Sequence, residues 1–271
     1  MKLVKAWIWR WVNFVLANAP LRLRSLMRIV PATASIDYPG VSIVIHSPVD
    51  YYVRRHSAIK ERETVKWIEN MKPGDVLYDV GANVGTYSLI AAQCHRGQVK
   101  IYAFEPGYAN YAALCDNLKL NSAASAIVAF PVGLGLATGL DSFFYSDVMT
   151  GASRHALGQP LDGNHRPFSP AFSHTVLTWR LDDFIGQYKL PWPTHIKLDV
   201  DGTEFQILKG AQTALRHTRH LIAELTDKDP QFPDIVHYLE TCGLHMAGRY
   251  GCDFGQGMDP DQYNFHFSRQ S

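Results

Sequence analysis

The sequence predicts an α/β fold, built on a doubly wound, mostly parallel sheet with an antiparallel edge. Short apolar segments alternate with segments of helical spacing between residues 76 and 242, which is typical of parallel strands joined by helices. A glycine turn follows the strand-like segment 76–80, at the position where ligands bind in such sheets. The chain has 271 residues, of which 46% are hydrophobic, so it can bury the core of one large domain.

The predicted elements follow from residue spacing and from breaks in the pattern. Strands are predicted at 41–46, 76–80, 100–105, 126–133, 195–200 and 220–225. Helices are predicted at 61–71, 87–94, 108–121, 203–215 and 234–242. Residues 134–146 predict a hairpin that turns at Thr138 and Gly139, and this hairpin would supply antiparallel structure at a sheet edge.

Residues 149–174 interrupt the alternation. They are rich in Gly, Pro, Ser and His and show no periodicity. A long irregular segment inside a compact domain is usually functional or disordered. We therefore predict a substrate lid here, with a mobile surface insertion as the alternative.

The first 36 residues form a distinct segment with six basic residues and no acidic one. On a helical wheel Lys2 and Lys5 lie opposite Trp11 and Phe14. We predict a basic amphipathic helical arm at 1–36, followed by the main domain at 37–271. The arm is too short and too interrupted to span a bilayer, and it lacks the pattern of a signal peptide. We expect residues 1–30 to contact a membrane surface peripherally, or else to pack on the domain or on a second subunit.

Charge and cysteine content narrow the class of protein. Lys and Arg total 26 and Asp and Glu total 25, so the net charge of +1 gives no sign of a nucleic-acid partner. The four cysteines are scattered without a C-x-x-C pair, which disfavours a disulfide framework and a zinc ribbon. We expect a cytoplasmic enzyme whose partner is a small molecule or a glycan.

The glycine turn reads Asp79-Val80-Gly81-Ala82-Asn83-Val84-Gly85. A dinucleotide fingerprint would have a second glycine where Asn83 stands, so that the backbone can approach a pyrophosphate. A carboxylate at the strand end, on Asp79, repels a diphosphate and suits an ammonium group. S-adenosylmethionine carries an ammonium and a sulfonium and no phosphate, so the turn favours this cofactor over a dinucleotide.

A second acid, Glu105, ends the next predicted strand, in the sequence Phe104-Glu105-Pro106. A carboxylate at this place can accept hydrogen bonds from both ribose hydroxyls of an adenosine. A nicotinamide enzyme would use an acid in the same way, and an acid is also favoured at a helix N-terminus. Glu105 therefore predicts adenosine recognition without choosing the cofactor.

A third group of charged residues lies at 196–204, where period-two alternation puts Lys197, Asp199 and Asp201 on one side of the strand. Asp199 reaches the carboxyl edge of the sheet, where open α/β folds bind ligands. The alternatives are a structural ion pair between Lys197 and Asp199 and a magnesium site formed by Asp199, Asp201 and Glu224.

These motifs together resemble the FkbM family of S-adenosylmethionine-dependent methyltransferases over roughly residues 50–225. The matching segments are DVGANVGTYS, FEP, TWRLDDF at 178–184, IKLDVDGTEFQILKGA at 196–211 and IAEL at 222–225. The resemblance implies a class I, Rossmann-like fold and O-methylation of a hydroxyl on a sugar, a glycan or a secondary metabolite. It implies that the cofactor contacts lie in the first two motifs, and we predict Asp79, Gly81, Ala82, Asn83, Gly85, Glu105 and Pro106.

A hydroxyl acceptor must lose its proton during methyl transfer, and the resemblance puts Asp199 close to the methyl group. We predict Asp199 as the general base, Lys197 as the charge that orients it or lowers its pKa, and Glu224 as a second acid. No resident metal is predicted. The competing functions are a nicotinamide-dependent oxidoreductase and a non-catalytic module for assembly or membrane attachment.

Overall fold

The structure is a computed structural model that describes residues 32–163, 165–252 and 263–269. Backbone contacts divide the chain into two compact units, Met1–Thr33 and Ala34–Ser271. Residues 1–31 of the predicted arm lie outside the described residues, so its helix and its membrane contact stay predictions. The arm was predicted to reach residue 36, but the short strand Thr33–Ser35 occupies this end. None of the described helices is long and apolar enough to cross a membrane.

A seven-stranded sheet forms the centre of the domain. Its strands, in spatial order, are β12 (His245–Gly251), β13 (Tyr263–Ser268), β11 (His220–Leu225), β10 (His195–Leu198), β3 (Val76–Val80), β4 (Lys100–Phe104) and β5 (Ile127–Phe130). The five strands from β11 to β5 are parallel, and β13 is antiparallel to both of its neighbours. The predicted parallel sheet with an antiparallel edge is therefore present.

Two smaller sheets and the helices surround the central sheet. The small sheets pair β1 (Thr33–Ser35) with β2 (Ser42–Val44), and order β6 (Gly133–Leu134), β9 (Phe172–Trp179), β7 (Gly139–Tyr145) and β8 (Ala156–Leu157). The α-helices of the described residues are α1 (Pro48–Tyr52), α2 (Ser57–Lys60), α3 (Arg62–Glu69), α4 (Thr86–His95), α5 (Tyr108–Leu120), α6 (Leu181–Tyr188), α7 (Glu204–Lys209), α8 (Gln212–His217) and α9 (Phe232–Thr241). A 3-10 turn at Arg54–His56 precedes α2.

The inner parallel strands β11, β10, β3 and β4 are largely buried on both faces because helices cover both sides of the sheet. Along β3, Tyr78 packs in one apolar cluster with Phe104 and Leu198, whereas Leu77 packs in a second cluster with Ile101. All five residues of β3 are buried. The continuous apolar run at 76–80 is explained by this central position.

The predicted hairpin at 134–146 is wrong. Strand β6 pairs in parallel with β9, and β7 pairs antiparallel with β9 from Gly139–Thr178 to Tyr145–Phe172. Phe143, Tyr145 and Val176 form a buried apolar cluster on the paired strands β7 and β9, so β7 pairs with a strand distant in the chain and not with β6. The antiparallel edge of the central sheet consists instead of β12 and β13.

Two further predictions differ in detail. The strand predicted at 126–133 is divided into β5 and β6, and the helix predicted at 203–215 is divided into α7 and α8. The division between the helices falls at Gly210, where a Cβ atom would lie 2.2 Å from the carbonyl oxygen of Gly135.

The segment 149–174 is not structureless, since it contains β8 and the first residues of β9.

The topology determines where a ligand can bind. From β3 the chain adds β4 and β5 on one side, and it later adds β10 and β11 on the other side. The order therefore reverses between β3 and β10, and an open crevice forms outside the carboxyl ends of strands at such a switch point. Gly81 follows β3 and Asp199 follows β10, so both lie at this crevice.

Candidate active site

A cleft of about 230 Å³ opens at the carboxyl ends of β3, β4, β10 and β11. Seven residues singled out from the sequence line it, namely Gly81, Asn83, Glu105, Pro106, Asp199, Asp201 and Glu224. The cleft is also lined by residues from the helices before β3, from α5, from β7 and from the segment after β7, namely Val49, Arg54, Lys60, Asn110, Phe143, Arg154 and His155. The strand ends thus provide an acidic floor, and the other segments provide the walls.

The turn after β3 has a geometry that depends on Gly81 and Asn83. Gly81 has a φ of +82°, and a Cβ atom there would lie 1.9 Å from the carbonyl oxygen of Asp199. Asn83 has a φ of 52°, a left-handed conformation that asparagine tolerates better than most residues. Its Oδ1 accepts a hydrogen bond from Val84 N at 2.9 Å. Asn83 can therefore stand where a dinucleotide fingerprint has its second glycine, because its side chain stabilises the same left-handed turn.

Glu105 lies across the turn and is 5% exposed. Its Oε2 accepts from the backbone N of Asn83 and its Oε1 accepts from the backbone N of Gly107, both at 2.8 Å. Burial raises the pKa of Glu105 to about 7, although these two backbone donors lower it. The carboxyl group is therefore fixed in orientation, and each oxygen keeps a further lone pair for a ligand.

Three of the predicted cofactor contacts are not at the cleft surface. Asp79 is 1% exposed, and its Oδ2 accepts from Ser88 Oγ at 2.6 Å, because it is the fourth residue of β3 and lies below the turn. Ala82 is buried in an apolar cluster. Gly85 precedes α4, and a Cβ atom there would lie 2.3 Å from Leu114 Cδ1. These residues shape the turn from beneath, and their contact with the cofactor stays a prediction.

Lys197 and Asp199 form a close pair at the switch point, with 2.5 Å between Nζ and Oδ2. Lys197 is 1% exposed, and its Nζ lies 4.4 Å from the centre of the Tyr87 ring. Burial would raise the pKa of Asp199, but the cations of Lys197 and Lys60 lower it to about 2. Asp199 is therefore ionised at neutral pH and oriented by Lys197, as the sequence predicts, but it is a weak base.

Asp201 and Glu224 have pKa values shifted in the opposite direction. Burial and the neighbouring charge of Asp199 raise the pKa of Asp201 to about 6. Burial and the same charge raise the pKa of Glu224 well above its usual range, and Glu224 Oε2 has no hydrogen-bond partner within the described residues. A general base works best when its pKa lies near the working pH. Asp201 fits this requirement better than Asp199 or Glu224.

Residues 150–155, which we call the strap, cross one side of the cleft. The carbonyl oxygen of Ala152 accepts from Asn83 Nδ2 at 2.9 Å and from Asn110 Nδ2 at 3.1 Å. Arg54 donates from Nε and Nη2 to the carbonyl oxygen of Gly151. The strap is therefore held by groups from three separate elements and forms a wall of the cleft, which argues against a mobile surface insertion.

The remaining wall residues were missed by the sequence reasoning. Arg154 donates its backbone N–H to Asp201 Oδ2 at 2.6 Å, and Arg54 and His155 also face the cleft. These residues lie outside any motif, and the groups that hold the carbonyl oxygens of Gly151 and Ala152 are 42 to 97 residues away in sequence. The one signal that could have indicated them is the unusual length of the irregular segment.

The residues that could hold a metal differ from those in the magnesium alternative. Within the described residues, one group brings its ligand atoms within 4.8 Å of one another, and it consists of Glu61, Glu224 and Cys252. Lys60 Nζ already lies 3.2 Å from Glu61 Oε1, so an ammonium group supplies positive charge at this place. Asp199 and Asp201 are not members of this group.

The comparisons with known proteins agree with this geometry. A family model described as the methyltransferase FkbM domain matches residues 79–246, more than half of the chain. Over 158 residues the chain is 28% identical to the hexuronic acid methyltransferase AglP of Haloferax volcanii, covering 58% of this chain and 59% of that protein. Over 202 residues it is 29% identical to the 31-O-demethyl-FK506 methyltransferase FkbM of Streptomyces tacrolimicus, covering 65% of this chain and 75% of that protein. The chain thus spans less than two thirds of the length of AglP.

A solved structure shows the same fold. The precorrin-6y C5,15-methyltransferase of Geobacter metallireducens has a TM-score of 0.50 and 12% identity, covering 87% of this chain and 100% of that chain. The predicted class I, Rossmann-like fold is confirmed by this likeness together with the parallel sheet. On the family match, the chain belongs to the FkbM methyltransferase family.

Proposed function

We propose that this methyltransferase uses S-adenosylmethionine and methylates a hydroxyl oxygen of a sugar, a glycan or a secondary metabolite. The names of two relatives point to such acceptors, since one is a hexuronic acid methyltransferase and the other a 31-O-demethyl-FK506 methyltransferase. The main support for the proposal is the position of the Glu105 carboxyl group. Two backbone N–H groups hold it in place, and it lies beside the turn at Gly81, where no side chain blocks a ligand.

The residues of the cleft fit this cofactor. Glu105 can accept hydrogen bonds from the two ribose hydroxyls, because each of its oxygens has a lone pair left. Gly81 allows the backbone to approach the ligand without a Cβ atom. The acidic floor, with Asp199 ionised, suits a cationic ligand and repels a diphosphate. This charge distribution argues against the nicotinamide alternative.

When bound, S-adenosylmethionine would supply an electrophilic methyl carbon, with the neutral thioether sulfur as its leaving group in an in-line transfer to the acceptor oxygen. The chain contributes mainly by holding the acceptor hydroxyl in this line, and such positioning can account for much of the rate. Asp199, oriented by Lys197, accepts a hydrogen bond from the acceptor hydroxyl. The same carboxylate takes up the hydroxyl proton as the oxygen bonds to the methyl carbon, and the neighbouring Asp201, whose higher pKa of about 6 makes it the better proton acceptor, can hold that proton afterwards.

Titration calorimetry with S-adenosylhomocysteine tests the cofactor assignment. We expect the purified chain to bind it, and Glu105→Gln to weaken binding by about tenfold or more, since a hydrogen bond to a charged group contributes roughly 1.5–3 kcal/mol. Glu240→Gln is the matched control, because Glu240 is exposed on α9, away from the cleft.

Two results would contradict the proposal. The first is equal affinity of the wild type and Glu105→Gln for S-adenosylhomocysteine, with both proteins showing the same melting temperature. The second is tight binding of NAD without binding of S-adenosylhomocysteine, which would favour an oxidoreductase.

A further inference from the structure

The cations in and beside the cleft are neutralised to different degrees. Buried carboxylates neutralise the lysines, since Lys60 lies 3.2 Å from Glu61 and Lys197 lies 2.5 Å from Asp199. In the described part of the chain, the guanidinium groups of the cleft, which belong to Arg54 and Arg154, have no carboxylate within 4.0 Å. Two positive charges therefore face the cleft without an ion pair.

Arg54 has donors left for a ligand. Its Nε and Nη2 both donate to the carbonyl oxygen of Gly151, at 2.8 and 2.5 Å. A guanidinium group has five N–H donors in a planar fork, so three remain available. The contact with Gly151 also fixes the direction in which the guanidinium group points.

Arg154 is held in an unusual backbone conformation. Its φ is 63°, a left-handed region that is uncommon for a long side chain. The hydrogen bond from its backbone N to Asp201 Oδ2 stabilises this conformation, while the side chain is exposed at the cleft. The guanidinium group itself makes no hydrogen bond to the described residues. The backbone is thus arranged to present a positive charge beside Asp201.

The wall next to these arginines is aromatic. Phe143 and His155 line the cleft, with their ring centres 5.7 Å apart, and the His155 ring also lies 5.0 Å from that of Tyr145. His155 Nδ1 is buried and has no hydrogen-bond partner in the described chain. An apolar ring surface with a few convergent polar groups is typical of a small-molecule site, and it suits the face and hydroxyls of a sugar.

We infer that the acceptor carries an anionic group, a carboxylate or a phosphate, which binds Arg54 and Arg154 while a hydroxyl of the same molecule faces Asp199. This inference rests on the proposed methyl transfer. The floor of the cleft is acidic and the strap side is basic, so a cationic cofactor and an anionic acceptor are each complementary to one side. Arginine favours planar carboxylate and phosphate groups because it can form two parallel hydrogen bonds with them.

The test measures binding of candidate acceptors to the full chain saturated with S-adenosylhomocysteine. D-glucuronate, D-glucose 1-phosphate and uncharged methyl glucoside are titrated separately by calorimetry. We expect at least one charged sugar to bind about tenfold more tightly than methyl glucoside, and the ranking of the two charged sugars identifies carboxylate or phosphate as the anion. Arg154→Gln removes this preference, whereas Arg216→Gln, which removes an exposed arginine of α8, retains it.

Three results would overturn the inference. They are equal binding of charged and uncharged sugars, an unchanged preference in Arg154→Gln, and no binding of either charged sugar up to its solubility limit. The S-adenosylhomocysteine titration that precedes each experiment separates these results from a failure of the proposed function, which would appear as absence of cofactor binding.

Discussion

The two ends of the central sheet both bury ionisable groups, but they satisfy them differently. At the amino end, Asp75 forms an ion pair with Arg219, and His195 Nδ1 lies 3.6 Å from Asp75 Oδ2. The His195 ring stacks on His220 at 4.9 Å, and His220 Nδ1 lies 3.3 Å from His266 Nε2. Each of these groups has a partner on a neighbouring strand or turn.

At the carboxyl end, partners are missing on the side that faces the cleft. Glu224 lines the cleft, and its Oε2 is buried without a hydrogen bond in the described structure. The ionised Asp199 raises the pKa values of Asp201 and Glu224, with burial as the larger cause. The pKa values are shifted at both ends of the sheet, so a shift alone does not identify the active site. Buried oxygens without partners beside a cleft distinguish the functional end.

The largest expected effect is on the rate of methyl transfer, which should depend on the carboxyl end of the sheet and not on the amino end. Asp199→Asn removes the charge that orients the acceptor hydroxyl, and we expect the rate of methyl transfer to fall by about 100-fold or more. Asp75→Asn removes a partner of Arg219 at the far end, so we expect a lower melting temperature and a rate within about twofold of the wild type. The measurements are S-adenosylhomocysteine formation in a cell lysate supplied with the cofactor, and thermal unfolding. Equal losses of activity in both variants would show that the two ends do not differ in function.

An effect of intermediate size concerns the pH dependence of stability. Burial and the charge of His220 lower the pKa of His266 to about 4, and burial lowers the pKa of His195 below its usual range. The unfolded chain therefore binds more protons than the folded chain between about pH 4 and the ordinary histidine pKa of about 6.5. The stability that these groups contribute is complete above about pH 6.5 and is lost as the pH falls toward 4.

The variant His266→Gln tests whether the folded protein loses stability as the pH falls. We expect it to lose less stability than the wild type when the pH is lowered from about 7 to about 5, because one histidine that must stay neutral has been removed. Denaturant unfolding at each pH measures the difference, and His237→Gln, an exposed position on α9, is the matched control. A larger loss in His266→Gln than in the wild type would contradict the assigned direction.

The smallest expected effect concerns the bond between the turn and the strap. Asn83→Gly preserves the left-handed turn, since glycine adopts it freely, but removes the hydrogen bond to the carbonyl oxygen of Ala152. We expect acceptor affinity to fall about fivefold, as for the loss of one hydrogen bond of about 1 kcal/mol, and S-adenosylhomocysteine affinity to stay within about twofold. Calorimetry with the charged sugar that binds the wild type more tightly measures the acceptor affinity, and a separate titration with S-adenosylhomocysteine measures the cofactor affinity. A large loss of S-adenosylhomocysteine affinity would instead show that Asn83 supports cofactor binding at the floor of the cleft and does not act through the strap.

The strand ends could be predicted from the sequence because their position follows from a general rule. In a parallel sheet all carboxyl ends meet at one edge, so Gly81, Glu105 and Asp199 had to lie close together. The burial of Asp79 could not be predicted, because alternation along a strand does not say which side of the turn a side chain reaches. Its place below the turn depends on Ser88 in the following helix.

The strap could not be predicted, since its contacts join residues far apart in the chain and show no periodic pattern. Gly151, for example, accepts from Arg54 at a separation of 97 residues. Strand β13 is a different case, because Tyr263, Phe265 and Phe267 alternate with polar residues and this period-two signal was available. This signal indicates a strand at a definite place, whereas the length of the irregular segment does not indicate which residues the strap contacts.

The close contact at Gly81 has a consequence for how this enzyme tolerates mutation. Any side chain there would displace the backbone of Asp199 and leave the left-handed turn strained. A residue that takes no part in the chemistry thus determines the position of both the cofactor turn and the acidic floor. In a library of all single substitutions, position 81 should be as intolerant as the carboxylates themselves, while the strap offers the positions at which acceptor preference can be changed by design.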